Sequence, residues 1–435
     1  MSDQLNRRNV LRGLGVAGIA SLAGCSSDGS SGSDSGPDVL VVIGYPEDGI
    51  QLFRDYYSAS SGDEAILMPD GLRDGALPAQ VGNDMENVTG TAPAAGGPNQ
   101  ETFTSLFEDE YGEAPGVFTS QSYDSVALQI LANAAGGENS GEVIRDQMRR
   151  IANPDGMTVG PDNFVEGVEA AANGEAINYQ GASSATNFNG DGDPASAAYA
   201  IWEFDGQSSQ STSAVETQNF EGENPDGAGP TADSSPGGFG RTARVGILLP
   251  ETGSLASVGG PMIQAAQIPA MQVNDADIDF SVETQVEDTQ TNSQNGVSGA
   301  NTLVNAGFPS ICGTASSGVN VPVCQEVLIP NNVLGMSPSS TALSVTGLED
   351  DDYVFRTAPS DQLQGRVMAQ VASERLSAAS AATLYVNNDY GQQLSERFTG
   401  VFEDEFDGTV QTQVPFNQGE SSYTSVVNSA LSGEE

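Results

Sequence analysis

The segment "PDVLVVIGY" (37–45) carries five aliphatic residues in a row between Asp38 and Gly44. A strand with one wet face alternates apolar and polar residues. An unbroken run needs apolar cover on both faces, which a parallel sheet sandwiched between helices provides. The runs "RVGILLP" (244–250) and "AATLYVNN" (381–388) make the same demand. Strands of this kind separated by helical segments define an α/β protein, and 435 residues are enough for two or three such units.

The alternation is interrupted once. "GQSSQSTSAVETQNFEGENPDGAGPTADSSPGGFG" (206–240) is rich in Ser, Gly, Pro and acids, and is expected to stay unfolded. After it, strands are expected at 244–250, 279–288, 309–313, 331–337, 354–359, 381–388 and 408–417. Helices are expected at 262–274, 298–306, 319–327, 362–375, 392–406 and 422–431. Before it, "PDVLVVIGY" opens on a strand with no preceding helix. A helix (50–58), "EAILMPDG" (64–71) and "NVTGTAPAAG" (87–96) follow, then helical segments at 101–111, 121–135, 141–152 and 162–173. "NYQG", "TNFN" and "AYAIWEFDG" close the block, alternating like antiparallel strands.

The charge is extreme, with 59 acidic and 14 basic residues, every basic one Arg, and no His. A cationic partner is one explanation. The absence of Lys and the spread of acids over every segment favour a surface adapted to molar salt, where a Debye length near 3 Å screens the self-repulsion. The net charge of -45 argues against nucleic acid. Without His there is no Ser–His–Asp triad, no His-containing zinc site and no histidine base. "NFNGDGDP" (187–194) begins like a calcium loop but has Ala198 where the bidentate Glu belongs, so a hairpin turn is favoured. "GLGVAG" (13–18) has the glycine spacing of a dinucleotide loop without the preceding strand, and no Walker sequence occurs. "NVT" (87–89) is a weak glycosylation signal. No metal, cofactor or enzymatic activity is expected.

The first 25 residues, "MSDQLNRRNVLRGLGVAGIASLAGC", resemble a twin-arginine export signal at Arg7 and Arg8 that ends in a lipobox, "LAGC". The resemblance implies cleavage before Cys25 and a lipid on it, with 26–36 as a flexible tether. Cys312 and Cys324 remain, either bonded to each other or free and buried.

"RTARVGILLPETGSLASVGG" (241–260), with the loops "GTASSGVNVP" (313–322) and "MSPSSTALS" (336–344), resembles the opening of type 1 periplasmic solute-binding proteins, in the leucine/isoleucine/valine-binding group of ABC importers. The resemblance covers 37–206 and 243–435 in swapped order. It implies two Rossmann-like lobes with parallel sheets and an interlobe cleft, in a circularly permuted, salt-adapted chain of haloarchaeal type. The implied division is 1–36 signal and tether; 37–97 second part of lobe 2; 98–206 second part of lobe 1; 207–242 linker; 243–360 first part of lobe 1; 361–435 first part of lobe 2. A linker of about 36 residues spans roughly 30–36 Å as a random coil, enough to cross one lobe. A rearranged chain without transport function is the competing explanation.

The same resemblance implies the site. Ser317, Ser339 and Thr341 fall where the family holds an α-carboxylate with hydroxyls and backbone N–H groups, and Asp70 falls opposite the α-ammonium. Tyr390 and Tyr45 fall where tyrosines line the cleft. The implied function is binding of an amino acid (branched-chain type) or related amide, for delivery to an ABC permease and its ATPase. The protein would sit on the extracellular face of the membrane through its lipid. A ligand-binding sensor module is the alternative.

Overall fold

The computed structural model describes residues 36–60, 62, 64–152, 155–221 and 238–432, so the twin-arginine and lipobox segment lies outside the described residues. The strands in chain order are β1 (Val39–Ile43), β2 (Ala65–Met68), β3 (Val88–Pro93), β4 (Met157–Val159), β5 (Ile177–Tyr179), β6 (Ser196–Phe204) and β7 (Thr212–Glu221). They continue as β8 (Arg241–Leu249), β9 (Phe280–Asp288), β10 (Ser310–Gly313), β11 (Leu334–Ser337), β12 (Val354–Arg356), β13 (Ser380–Val386) and β14 (Thr409–Phe416).

Two sheets organise the molecule. One has seven strands in the order β14-β13-β1-β2-β3-β6-β7, the other five in the order β12-β11-β10-β8-β9. The apolar runs occupy central positions. All five residues of β1 are fully buried between β13 and β2, both parallel to it, with Val39 opposite Ala381 and Ile43 opposite Tyr385. β8 likewise lies between β9 and β10 in parallel. Alternating sequences go to the edges, where one face is wet: "TVQTQVPF" forms β14 and "FSVETQVED" forms β9.

Segments far apart in sequence are thus joined in one sheet. The Asp38 carboxylate accepts hydrogen bonds from the Ala379 and Ser380 backbone N–H groups at 3.0 and 2.9 Å and from the Ser380 hydroxyl at 2.9 Å. These bonds, the Ala379 one above all, hold its carboxyl below the usual range. A second link joins the Asp193 turn to the five-stranded sheet. Arg356 is buried and donates through Nε and one terminal nitrogen to the two Asp193 oxygens at 2.6 and 2.5 Å, and it also contacts Thr346. The carboxylate's fork-to-fork pairing satisfies the buried guanidinium's donors and offsets its charge.

Three expectations need correction. The segment 207–242 is not all linker, because 212–221 forms β7, antiparallel to β6 from Phe204↔Thr212 to Ser196↔Glu221. An edge strand is held by its backbone ladder, so a polar composition does not prevent it, and the acids along it discourage a further strand from pairing. Residues 196–204, expected in lobe 1, form β6, which pairs antiparallel with β3 and so belongs to the seven-stranded sheet. "NYQG" contributes β5, which runs parallel to β4 in a separate two-stranded sheet, and "TNFN" contributes only an isolated bridge between Phe188 and Pro194. Short polar strands carry too few alternating positions to reveal their direction.

Cys312 and Cys324 are both buried and free. Burial pushes each thiol up to about 12, leaving small apolar groups rather than nucleophiles. No described helix is long and apolar enough to cross a membrane.

Candidate interlobe binding site

In a parallel α/β sheet the loops beyond the carboxyl ends of the strands collect the polar side chains, because there the chain turns into helix N-termini. The two large sheets point such ends at each other. From the seven-stranded sheet, β1 leads to Tyr45, β2 to Asp70 and β13 to Tyr390. From the five-stranded sheet, β10 leads to Ser316 and Ser317, and β11 to Ser339. Tyr45, Asp70, Ser317, Ser339 and Tyr390 line one cavity, together with Gly71, Phe118, Leu255, Val258, Ala315 and Ser316. Five of the six expected residues therefore meet, although Asp70 and Ser317 are far apart in the chain.

Thr341 does not line that cavity. It is fully buried, and its hydroxyl faces the Asp361 carboxylate without a well-formed hydrogen bond among the described residues. Its backbone carbonyl instead accepts from the Asp361 N–H at 2.8 Å. Sequence position alone cannot say which of two hydroxyls separated by one residue faces outward at a strand end.

The lobes touch across the cleft. The Tyr45 hydroxyl is 2.8 Å from the Ser316 hydroxyl and accepts from the Asn388 amide at 3.0 Å. Its ring stacks on Tyr390, with centroids 5.8 Å apart and planes 11° apart. Tyr390 donates to Asp70 Oδ1 at 3.4 Å and accepts from the Gly71 N–H at 3.2 Å. Gly71 has to be glycine here: a Cβ would fall 2.5 Å from the Gly44 carbonyl and 2.8 Å from the Tyr390 hydroxyl. What remains open is about 20 Å³, room for about one water molecule. The site is closed around almost nothing.

On the five-stranded side the hydroxyls are arranged by the backbone. Ser317 accepts from the Ala342 N–H at 3.2 Å, and Ser339 donates to the Ala315 carbonyl at 3.1 Å. Ser337 and Ser340 both donate to the Thr314 carbonyl, at 2.6 and 2.8 Å. This web binds the two loops into one wall.

The other wall is anionic. Asp70 is 3 % exposed, and burial pushes its carboxyl up to about 6 despite a hydrogen bond from the Gln364 amide at 2.5 Å. Asp361 is fully buried, and among the described residues the Thr341 hydroxyl is the side-chain group that faces its carboxylate, without a well-formed hydrogen bond. Burial, and then the nearby Asp70 charge, raise its carboxyl well above the ordinary range. Among the described residues, the Oε1 of Gln364 is also buried without a partner. Acceptors thus outnumber donors around Asp70, an arrangement that a cationic group relieves. Burial raises Tyr390 well above its ordinary value and Tyr45 to about 12, so both phenols stay neutral donors.

Asp361, Gln364, Asn388, Ser316 and Phe118 were not singled out from sequence. Asp361 opens the helix Asp361–Gln370, where an acid is common for reasons of capping and helix dipole. Only the packing of that helix against the Asp70 turn makes it part of an anionic wall.

Residues 242–433 match the periplasmic binding protein family. A homologue of Leu/Ile/Val-binding protein from Brucella melitensis is 31% identical over 158 residues, which are 35% of this chain and 42% of that protein. The leucine-, isoleucine-, valine-, threonine- and alanine-binding protein of Pseudomonas aeruginosa is 26% identical over 165 residues, 38% of this chain and 44% of that protein. The chain thus spans less than half the length of these curated relatives. Among solved structures, a leucine-binding protein from Thermotoga maritima shares 24% identity and covers 44% of this chain and 53% of its own, at a TM-score of 0.40. Over residues 242–433 the chain is thus similar to the periplasmic binding protein family, and over 158 residues to a homologue of Leu/Ile/Val-binding protein.

Proposed function

We propose that the protein binds a small amino acid, of the branched-chain type or a related amide, outside the cytoplasm, and delivers it to an ABC permease by opening and closing its two lobes. The observation that carries this reading is the pairing of unlike walls: serine hydroxyls in the loops beyond two strand ends on one side, and Asp70 on the other. A zwitterion fits that pairing, with its carboxylate on Ser317 and Ser339 and its ammonium on Asp70 and, behind it, Asp361. Tyr45 and Tyr390 would cover it. The cavity of about 20 Å³ cannot hold an amino acid, so the lobes would part at the Tyr45–Ser316 contact to admit one. A binding protein of this kind carries no covalent chemistry.

Circular permutation is part of the proposal. The placement of β1 between β13 and β2 supports it, as does a family match that begins at 242, on the strand that would open an unpermuted chain. A lipid on Cys25, reached through twin-arginine export, would hold the protein at the extracellular face. Lipid-precursor labelling that is lost in Cys25→Ser tests that anchor.

Calorimetric titration with leucine, valine and alanine in molar salt tests the site. Removing a charged hydrogen-bond partner costs about 1.5–3 kcal/mol, so Asp70→Ala should weaken binding roughly ten- to hundredfold. Equal affinities in wild type and variant would refute the assignment.

A further inference from the structure

Among the described residues, an acid-free hollow lies beside the cleft in this acid-rich protein. A cavity of about 580 Å³ is bounded by the end of β3, the loop 114–118, the start of the helix Thr119–Gly136 and the facing parts of β6 and β7. That volume suits a small organic molecule and exceeds what an inorganic ion fills. With 59 acids in 435 residues, a wall of this extent would be expected to carry several, yet it carries none. The interlobe cleft and the two other cavities described each include at least one carboxylate.

The one charged residue on this wall is Arg73. Its Nε donates to the Thr212 hydroxyl at 3.1 Å, and its guanidinium lies 5.8 Å from the Trp202 ring centroid. Among the described residues, its two terminal nitrogens have no hydrogen-bond partner and no carboxylate lies within 4.0 Å. The Asp70 charge acts on Arg73 from a distance, without an ion pair, and burial is the larger influence on the guanidinium. The opening turn of the helix Thr119–Gly136 adds to the field. Its N-cap Phe118 supplies no side-chain cap, and Thr119, Ser120 and Gln121 face the hollow. Pro93, Ala94, Val117 and Ala214 supply apolar surface between these polar points. Phe118, with a φ of 62° in the left-handed region, lines both this cavity and the cleft.

We propose that this cavity is a carboxylate-binding subsite, with the planar Arg73 guanidinium as its anchor and a small organic acid as its ligand. The fork of two free nitrogens matches a carboxylate in two parallel hydrogen bonds, and the apolar patches take the carbon skeleton. The subsite stands on Arg73 and its surroundings, a wall distinct from the cleft's, although the Asp70 charge reaches Arg73 and Phe118 lines both cavities.

Titration calorimetry with succinate at a fixed molar concentration of KCl tests it, with succinamide as the neutral analogue of the same shape and inorganic phosphate as the bare anion. Succinate is expected to bind, succinamide to bind at least tenfold more weakly, and phosphate more weakly than succinate. Arg73→Gln should weaken succinate binding tenfold or more. Thr212→Glu, at the start of an edge strand, keeps the arginine and gives it a carboxylate partner, and should weaken succinate to the same extent. Absence of succinate binding, equal affinity for succinate and succinamide, tighter binding of phosphate, or unchanged affinity in the folded Thr212→Glu protein would each overturn the proposal.

Discussion

Replacing Asp70 by Asn should make the empty protein more stable at neutral pH while weakening its binding of a cation. Asp70 is 3 % exposed, and burial raises its carboxyl from an ordinary 3.8 to about 6. A carboxyl with a raised folded pKa holds its proton more tightly folded than unfolded. The folded state is therefore favoured below 3.8, and that advantage is lost as pH rises through about 6. At about 1.4 kcal/mol per pKa unit, ionising Asp70 costs the empty protein about 3 kcal/mol by pH 7. Asparagine cannot ionise, and it can still accept from Gln364, which donates to Oδ1 at 2.5 Å. Its neutrality also removes the charge that helps to raise Asp361. Equilibrium urea denaturation of both proteins in molar salt, from pH 4 to pH 8, measures the difference. The curves should lie close together near pH 4 and diverge through pH 6, with Asp70→Asn ahead by about 3 kcal/mol at pH 8. A variant no more stable than wild type at pH 8 would refute the account of a strained, uncompensated carboxylate.

Further outcomes follow from the same geometry. Tyr45→Phe removes the hydroxyl contact to Ser316 across the cleft, worth about 1 kcal/mol, so solution scattering should show the open form about fivefold more populated. Asp193→Ala strands the buried Arg356 and should destabilise the fold by about 3–5 kcal/mol in denaturation experiments, far more than loss of an exposed ion pair such as Arg366–Glu405. If the cleft takes an ammonium, ligand binding should displace the Asp70 proton. Calorimetry at pH 6 in buffers of different ionisation enthalpy should then report proton release that fades by pH 8.

Much of this protein was legible without coordinates. Continuous aliphatic runs mark β1, β8 and β13 as central parallel strands, because only a strand covered on both faces can use residues such as Val39–Ile43 in sequence. That Tyr45, Asp70, Ser317, Ser339 and Tyr390 belong to one site is what the family resemblance implies, and loops beyond the carboxyl ends of such strands do gather in one place. Tertiary structure decided the rest. Nothing in "TSAVETQNFE" requires pairing, and it becomes β7 only because β6 offers a free backbone edge. Whether Thr341 or Ser339 faces the cleft depends on how the loop after β11 is bound to Thr314 and Ala315. The anionic strain around Asp70 arises because the helix Asp361–Gln370 brings Asp361 and Gln364 to it from almost 300 residues away. The environment of Arg73 is likewise set by elements that are neighbours only in space. Local sequence specifies which faces must be buried, whereas the charge and solvation felt by a single side chain depend on every segment packed against it.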